Sequence, residues 1–173
     1  MKQKIKLCIN SLKLKKRCKK NCKIGKSYCL NNVDCIDVAN NVTIGNDFRI
    51  ECYKKFRGES YNPRLIISAD VKIGERFTGL VTDKIIIGKG TCIGDEVTIT
   101  SENHGIDLTL NEPYAIQQLA SKEVYIGENC IIGKGVTILP GVILGNNCVV
   151  MPNSVVTKSF ESGDYVGGYL QLS

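Results

Sequence analysis

One histidine occurs in the 173 residues of this chain, and it lies in the run Ser-Glu-Asn-His-Gly-Ile-Asp at 101–107. An imidazole can take up and release a proton near neutral pH without help from its surroundings. His104 is therefore the candidate acid–base group, and no second imidazole exists to share the work. A lone histidine more often serves structure than catalysis. Here, though, polar residues precede it (Ser101, Glu102 and Asn103), and it stands where a repeating pattern gives way to a long excursion. The other chemically suggestive residues are nine cysteines. Cys18, Cys22, Cys29 and Cys35 are separated by three, six and five residues, a spacing that matches no standard pair of zinc knuckles. Cys92, Cys130 and Cys148 lie inside aliphatic runs, where a reduced thiol behaves as a small hydrophobe. No metal is expected. An odd cysteine count with no signal-peptide pattern points to a reducing, cytoplasmic setting.

The elements that must position His104 follow from an internal repeat. From Ile126 an aliphatic residue recurs every six positions, at Ile126, Ile132, Ile138, Leu144, Val150 and Val156. Gly follows at 127, 133 and 145, and a small or branched residue recurs four positions on, at Cys130, Val136, Val142, Cys148 and Ser154. Matching hexads start at Ile44, Ile67, Ile73, Ile87, Ile93 and Ile99. A period of six fits neither a helix nor one long strand. It fits a coil of short strands and sharp corners, with one residue per hexad pointing into a narrow core. The following glycine then relieves strain at a tight corner. Such coils bury their aliphatic stack only by stacking on one another. The phase shifts between blocks, so 57–64 and 105–123 must leave the coil as loops. Loops on a monotonous scaffold are where function concentrates.

These hexads resemble the left-handed parallel β-helix of the hexapeptide-repeat acyltransferases, with the closest likeness to sugar and polysaccharide O-acetyltransferases. The resemblance spans about Val33 to Val166 and is densest in IGENCIIGKGVTILPGVILGNNCVVMPNSVVTKS. It implies an all-β fold with three hexads per triangular coil. The segment SENHGID is similar to the catalytic segment of the family. His104 would then be the general base that takes the proton of an acceptor hydroxyl, which attacks the thioester of acetyl-CoA. The family orients this histidine through a carboxylate or a backbone carbonyl. Asp107 and Glu102 are both candidates, and Asn103 is the candidate contact to the acceptor.

The resemblance also implies a donor groove between subunits of a homotrimer, along the coils of Ile126–Lys158. The Lys134 backbone amide would stabilise the oxyanion. Gly133 and Gly135 would let the pantetheine arm approach, and Thr157 and Lys158 would meet the adenine and phosphates. Three departures stand out. Pro152 replaces an amide donor and leaves only the Met151 carbonyl as a polar contact. Ile131 stands where many relatives place Trp. The chain ends in VGGYLQLS without the usual basic tail, so either weaker binding of the cofactor or a phosphate held by Lys158 alone is expected.

Charge divides the chain. Residues 1–26 hold eleven Lys or Arg and no acid, whereas the remainder holds twelve basic and seventeen acidic residues. An acidic body argues against nucleic acid as partner. The expected organisation is a basic N-terminal segment over 1–30, a β-helix over 31–166 with its excursion at 105–123, and a short tail over 167–173. The head is expected to form a short helix with a sparse apolar stripe of Ile5, Ile9 and Leu12. It is either a solvated end or a peripheral contact with anionic membrane. No apolar run is long enough to span a bilayer. The expected activity is transfer of acetyl from acetyl-CoA to a sugar hydroxyl in surface-polysaccharide synthesis. The alternatives are N-acetylation of an amino-sugar nucleotide, acetylation of an antibiotic, and a non-catalytic β-helix scaffold.

Overall fold

Short parallel strands stack into three flat faces that wrap a single aliphatic core. The computed structural model describes residues 13–167. The first face has seven strands: Lys23–Ile24, Thr43–Ile44, Lys72–Ile73, Cys92–Ile93, Ile131–Ile132, Val149–Val150 and Tyr165–Val166. The second has six: Cys29–Leu30, Arg49–Cys52, Thr78–Val81, Thr98–Thr100, Thr137–Ile138 and Val155–Val156. The third has five: Ile36–Val38, Arg64–Ile67, Lys84–Ile87, Val124–Ile126 and Ile143–Leu144. Single bridges at Cys18–Val38 and Leu144–Phe160 extend the third face at both ends. The fold is a left-handed parallel β-helix.

Register explains the period of six. Ile44, Ile73, Ile93, Ile132, Val150 and Val166 lie directly above one another on the first face. Two residues per hexad point inward, not the single one expected. Cys130, Val136, Val142 and Cys148, each two positions before a core aliphatic, are buried as well. Phe48 and Phe77 occupy the same place lower in the coil. Thr91 is the polar member of that inner row, and its hydroxyl donates to the Gly127 carbonyl at 2.9 Å and accepts from Cys130 N at 3.0 Å. A buried hydroxyl satisfied on both sides costs little. Cys92, by contrast, is exposed on the outside of the first face and is no core residue.

The corners also differ from expectation. The glycine after each core aliphatic is needed for close approach, not to relieve strain. A Cβ on Gly127 would lie 2.5 Å from the backbone of Gly145 in the next coil. The left-handed residue comes two positions later, as at Asn129, Asn147 and Asn153, with φ of 57–60°. Asparagine tolerates that conformation and can bond to the coil beyond. Asn129 Nδ2 donates to Asn147 Oδ1 at 2.9 Å, one rung of a side-chain ladder along the corner.

The coil begins earlier than the hexads indicated. Lys23–Ile24 and Cys29–Leu30 already pair with the next turn, inside the segment assigned to the basic head. Residues 13–17 form a helical turn whose Leu14 is buried in the core cluster. Arg17 holds it down by donating from Nε to the Ile36 carbonyl at 2.9 Å and by an ion pair with Asp37. This part of the head is a plug over the open end of the coil, not a solvated tail. The stripe of Ile5, Ile9 and Leu12 lies outside the described residues. No helix among the described residues is long and apolar enough to cross a membrane.

Candidate active site

Two excursions leave the coil at the same corner, between the second and third faces, and meet over His104. The first is a hairpin of Lys55–Phe56 and Glu59–Ser60. Arg57 and Gly58 turn it with φ of 45° and 91°, the paired positive values of a tight two-residue hairpin. The second begins as an antiparallel pair, Glu102–His104 with Leu119–Ser121, in which His104 faces Leu119. Between these strands lie two 3-10 turns, Leu108–Leu110 and Tyr114–Ile116. The excursion expected at 105–123 is thus an arm rooted in its own strand pair.

Its root is a network of small hydroxyls. Ser101 Oγ accepts from the amides of Thr82 and Asp83 at 3.0 and 3.1 Å, and the Thr82 and Ser121 hydroxyls lie 2.7 Å apart. Gln117, 2% exposed, closes the arm. Its Oε1 accepts from Asp107 N at 2.8 Å, and its Nε2 donates to the carbonyls of Asp107 and Glu112 at 2.9 and 3.2 Å. Gly105 is required beside it, since a Cβ there would lie 2.8 Å from Gln117 Cβ.

The hairpin buttresses this arm. Leu119 N donates to Tyr61 Oη at 3.2 Å, and Gln118 Nε2 donates to Glu59 Oε1 at 3.1 Å. The Phe56 ring meets the His104 imidazole edge-on, with centroids 5.9 Å apart and planes at 70°. No sequence motif marks Phe56 or Tyr61, because their partners are remote in the chain, nor Gln117, whose partners are backbone groups of its own arm.

His104 is exposed on its strand, with Glu102 two residues before it on the same side. Burial pushes the Glu102 carboxyl above the usual range, and a positive His104 would draw it back. Glu102 thus lies on the His104 side of the strand, close enough for the two charges to interact. Asp107, expected as an orienting group, is otherwise engaged. Its Oδ1 accepts from Thr109 N at 2.8 Å and Thr109 Oγ1 at 2.6 Å, which caps a 3-10 turn and holds its carboxyl below the usual range. Asn103, on the opposite side of the strand from His104, is exposed.

The expected donor residues fall elsewhere. Gly133, Lys134, Gly135, Met151 and Pro152 form the corner between the first and second faces, beside Ile131, which is 54% exposed. Thr157 and Lys158 follow the second face, and Lys158 Nζ lies 5.5 Å from the Phe160 ring centre. Gly133 and Gly135 have a reason to be glycine without any ligand. A Cβ on Gly133 would lie 2.5 Å from Pro152 N, and one on Gly135 would lie 2.3 Å from Asn153 Oδ1.

Lys134 carries the informative detail. At some equivalent corners the amide donates to an Asx side chain of the next coil, as Glu75 does to Asp95 and Glu128 to Asn146, both at 2.8 Å, whereas the Asn46 and Asp95 amides have no such acceptor among the described residues. The next coil offers Lys134 a proline, Pro152, which has no such acceptor. The Lys134 amide therefore meets no acceptor among the described residues, while its ammonium lies 3.5 Å from Glu96 Oε2. His104 and Lys134 stand at opposite ends of the second-face strands, so one chain does not bring them together.

The bacterial transferase hexapeptide profile (six repeats) matches residues 123–158. The chain is 31% identical over 156 residues to WbbJ of Escherichia coli K12, a candidate lipopolysaccharide-biosynthesis O-acetyl transferase, covering 86% of this chain and 76% of that one. It is 39% identical over 74 residues to the galactoside O-acetyltransferase of Lactococcus lactis, covering 43% of this chain and 34% of the relative. Among solved structures, a mutant of the N-acyltransferase AntD from Bacillus cereus, in complex with dTDP-4-amino-4,6-dideoxyglucose and coenzyme A, shares the fold. Its TM-score is 0.68 at 18% identity, with 85% of this chain and 79% of that chain covered. A maltose O-acetyltransferase from Clostridium difficile 630 aligns with a TM-score of 0.56 at 24% identity, covering 89% and 67%. Identity sustained along most of WbbJ, over a coil whose corners and core repeat every six residues, shows that the chain belongs to the hexapeptide-repeat acyltransferase family.

Proposed function

We propose that this enzyme is an acetyl-CoA-dependent O-acetyltransferase that acts on a sugar hydroxyl in surface-polysaccharide synthesis. The observation that carries the proposal is the setting of His104. It is the chain's lone imidazole, exposed where two excursions converge, braced by Phe56 and flanked by Glu102. Acetyl-CoA, when bound, supplies the thioester. His104 accepts the proton of the acceptor hydroxyl as that oxygen attacks, and later returns it to the leaving sulfur. Glu102 stabilises the imidazolium between these steps. The Lys134 amide, without an acceptor among the described residues, donates to the thioester oxygen as charge develops there. Exposed Ile131 and Met151 (54% and 44%) offer an apolar wall to a pantetheine arm, and Lys158 offers a cation to phosphate.

A homotrimer belongs to the same proposal, because His104 and the Lys134 corner must come from neighbouring chains to share one groove. The arm carries Leu108 at 81% exposure and Ile106 at 75%, apolar surface suited to a second copy. Cytoplasmic location is also proposed. Cys35, Cys52, Cys130 and Cys148 pack as core thiols, which suits a reducing compartment. Exposed Lys13, Lys15, Lys16, Lys19 and Lys20 around the Leu14 plug are proposed to contact anionic lipid at the inner membrane face.

The test is thiol release from acetyl-CoA by the purified protein against neutral and acidic sugars, amino sugars, serine and antibiotics, with sedimentation in parallel. Sugar-dependent release by a trimer supports the proposal. Release with amines alone, or a monomer that is fully active, overturns it.

A further inference from the structure

We propose that Arg57 makes this an acetyltransferase for anionic saccharides, by gripping a carboxylate or phosphate on the acceptor; this rests on the assignment of His104 as base. Five arginines fall within the described residues. Arg17, Arg49, Arg64 and Arg76 each pair with a carboxylate. Arg57 has no carboxylate within ion-pair distance among the described residues. Its guanidinium instead lies 5.8 Å from the Phe56 ring centre, and that ring abuts His104. Imidazole, ring and guanidinium thus follow one another in space.

The turn itself disfavours the residue. At φ of 45°, paired with Gly58 at 91°, asparagine is the residue that a two-residue hairpin accepts most readily. An arginine there carries backbone strain without making an ion pair among the described residues. The tip faces a cavity of about 460 Å³ whose polar lining is Arg57, Asp107, Glu112, Gln117 and Gln118 and whose apolar lining includes Leu110 and Ile116. Most of the other polar groups are committed. Asp107 caps its turn, Gln117 spans the arm, and the Gln118 amide bonds Glu59. Glu112 is the remaining acid, and it limits how strongly the cavity attracts anions.

A sugar resting on Phe56 with a hydroxyl at His104 would present a neighbouring anionic group to Arg57. A guanidinium holds carboxylate or phosphate through two parallel donors, and an ammonium cannot reproduce that geometry.

The experiment compares glucuronic acid with glucose, and N-acetylglucosamine 1-phosphate with N-acetylglucosamine. Binding is followed by saturation-transfer NMR and acetylation by thiol release, for the full chain and its Arg57→Gln, Arg57→Lys and Glu112→Gln variants, with sedimentation of each. The charged member of at least one pair should be preferred by about tenfold, the usual worth of a charge-assisted contact. The pair that responds tells carboxylate from phosphate. Arg57→Gln should bring the ratio near one, Arg57→Lys should keep part of it, and Glu112→Gln should raise it. Equal use of both members, or a preference that survives Arg57→Gln, overturns the inference while leaving the proposed reaction standing. A change of oligomeric state in Arg57→Gln relative to the unaltered chain also overturns it, by showing that Arg57 serves assembly. Arg57-dependent binding of the charged sugar without acetylation of any sugar supports the anion site and removes the proposed reaction instead.

Discussion

Phe56 and His104, on excursions from different coils, touch edge to face at 5.9 Å and 70°. The contact fixes one side of the imidazole and leaves the rest open to solvent. If His104 is the base, Phe56 positions it. Phe56→Ala should lower kcat by about tenfold with KM for acetyl-CoA little changed, as expected when a base loses its alignment. Phe56→Tyr should restore most of the rate. A loss in KM alone would show that the ring serves binding only.

His104→Ala should reduce turnover by about two to four orders of magnitude, the usual contribution of a placed general base. His104→Asn should do the same, because an amide cannot take the proton. Both variants should fold, since the side chain lies outside the core. Full activity in His104→Ala would refute the mechanism.

Burial raises the Glu102 carboxyl above its ordinary value, so the folded chain holds that proton more tightly than the unfolded one. Stability at this site is therefore lost as pH rises from the ordinary carboxylate range through the raised value. Glu102→Gln should gain in melting temperature over wild type between pH 4 and pH 7, while losing activity. Parallel melting curves across that range would contradict the burial argument.

Pro152 leaves the Lys134 amide without the acceptor that Glu75 and Glu128 find at their corners. Pro152→Asn should supply one, as Asn146 does for Glu128 at 2.8 Å. The fold should gain up to about 1 kcal/mol from the new bond. Turnover should fall by about 100-fold or more if that amide holds the oxyanion. Unchanged turnover together with the stability gain would free Lys134 from any catalytic part.

Gly127→Ala should destabilise the coil by about 2 kcal/mol or more, because its Cβ meets backbone 2.5 Å away that cannot yield. Asn129→Gly, at φ 57°, should be nearly neutral. The pair separates close approach from backbone strain in a denaturant melt.

The repeat from Ile126 to Val156 determined the coil, because each hexad is a local rule: an aliphatic residue inward, a residue without Cβ where coils touch, and a left-handed corner. The same rule made 105–123 stand out as an interruption, with His104 at its start. The turn at Lys23–Leu30 carries the same signature, Ile24-Gly25 with Leu30 six residues on, but it lies within the lysine-rich stretch that reads as a basic head, and the Leu14 plug belongs to no hexad, so stacking had to place it. Where Glu102 and Asp107 lie relative to His104 also waited on the fold. Both lie within three residues of His104 in sequence, but a strand puts Glu102 beside it and a capped turn takes Asp107 away. Phe56, Tyr61 and Arg57 reach the site only because two excursions leave the coil at one corner. Which side chains meet there depends on how coils stack, and that is long-range packing that no periodicity encodes.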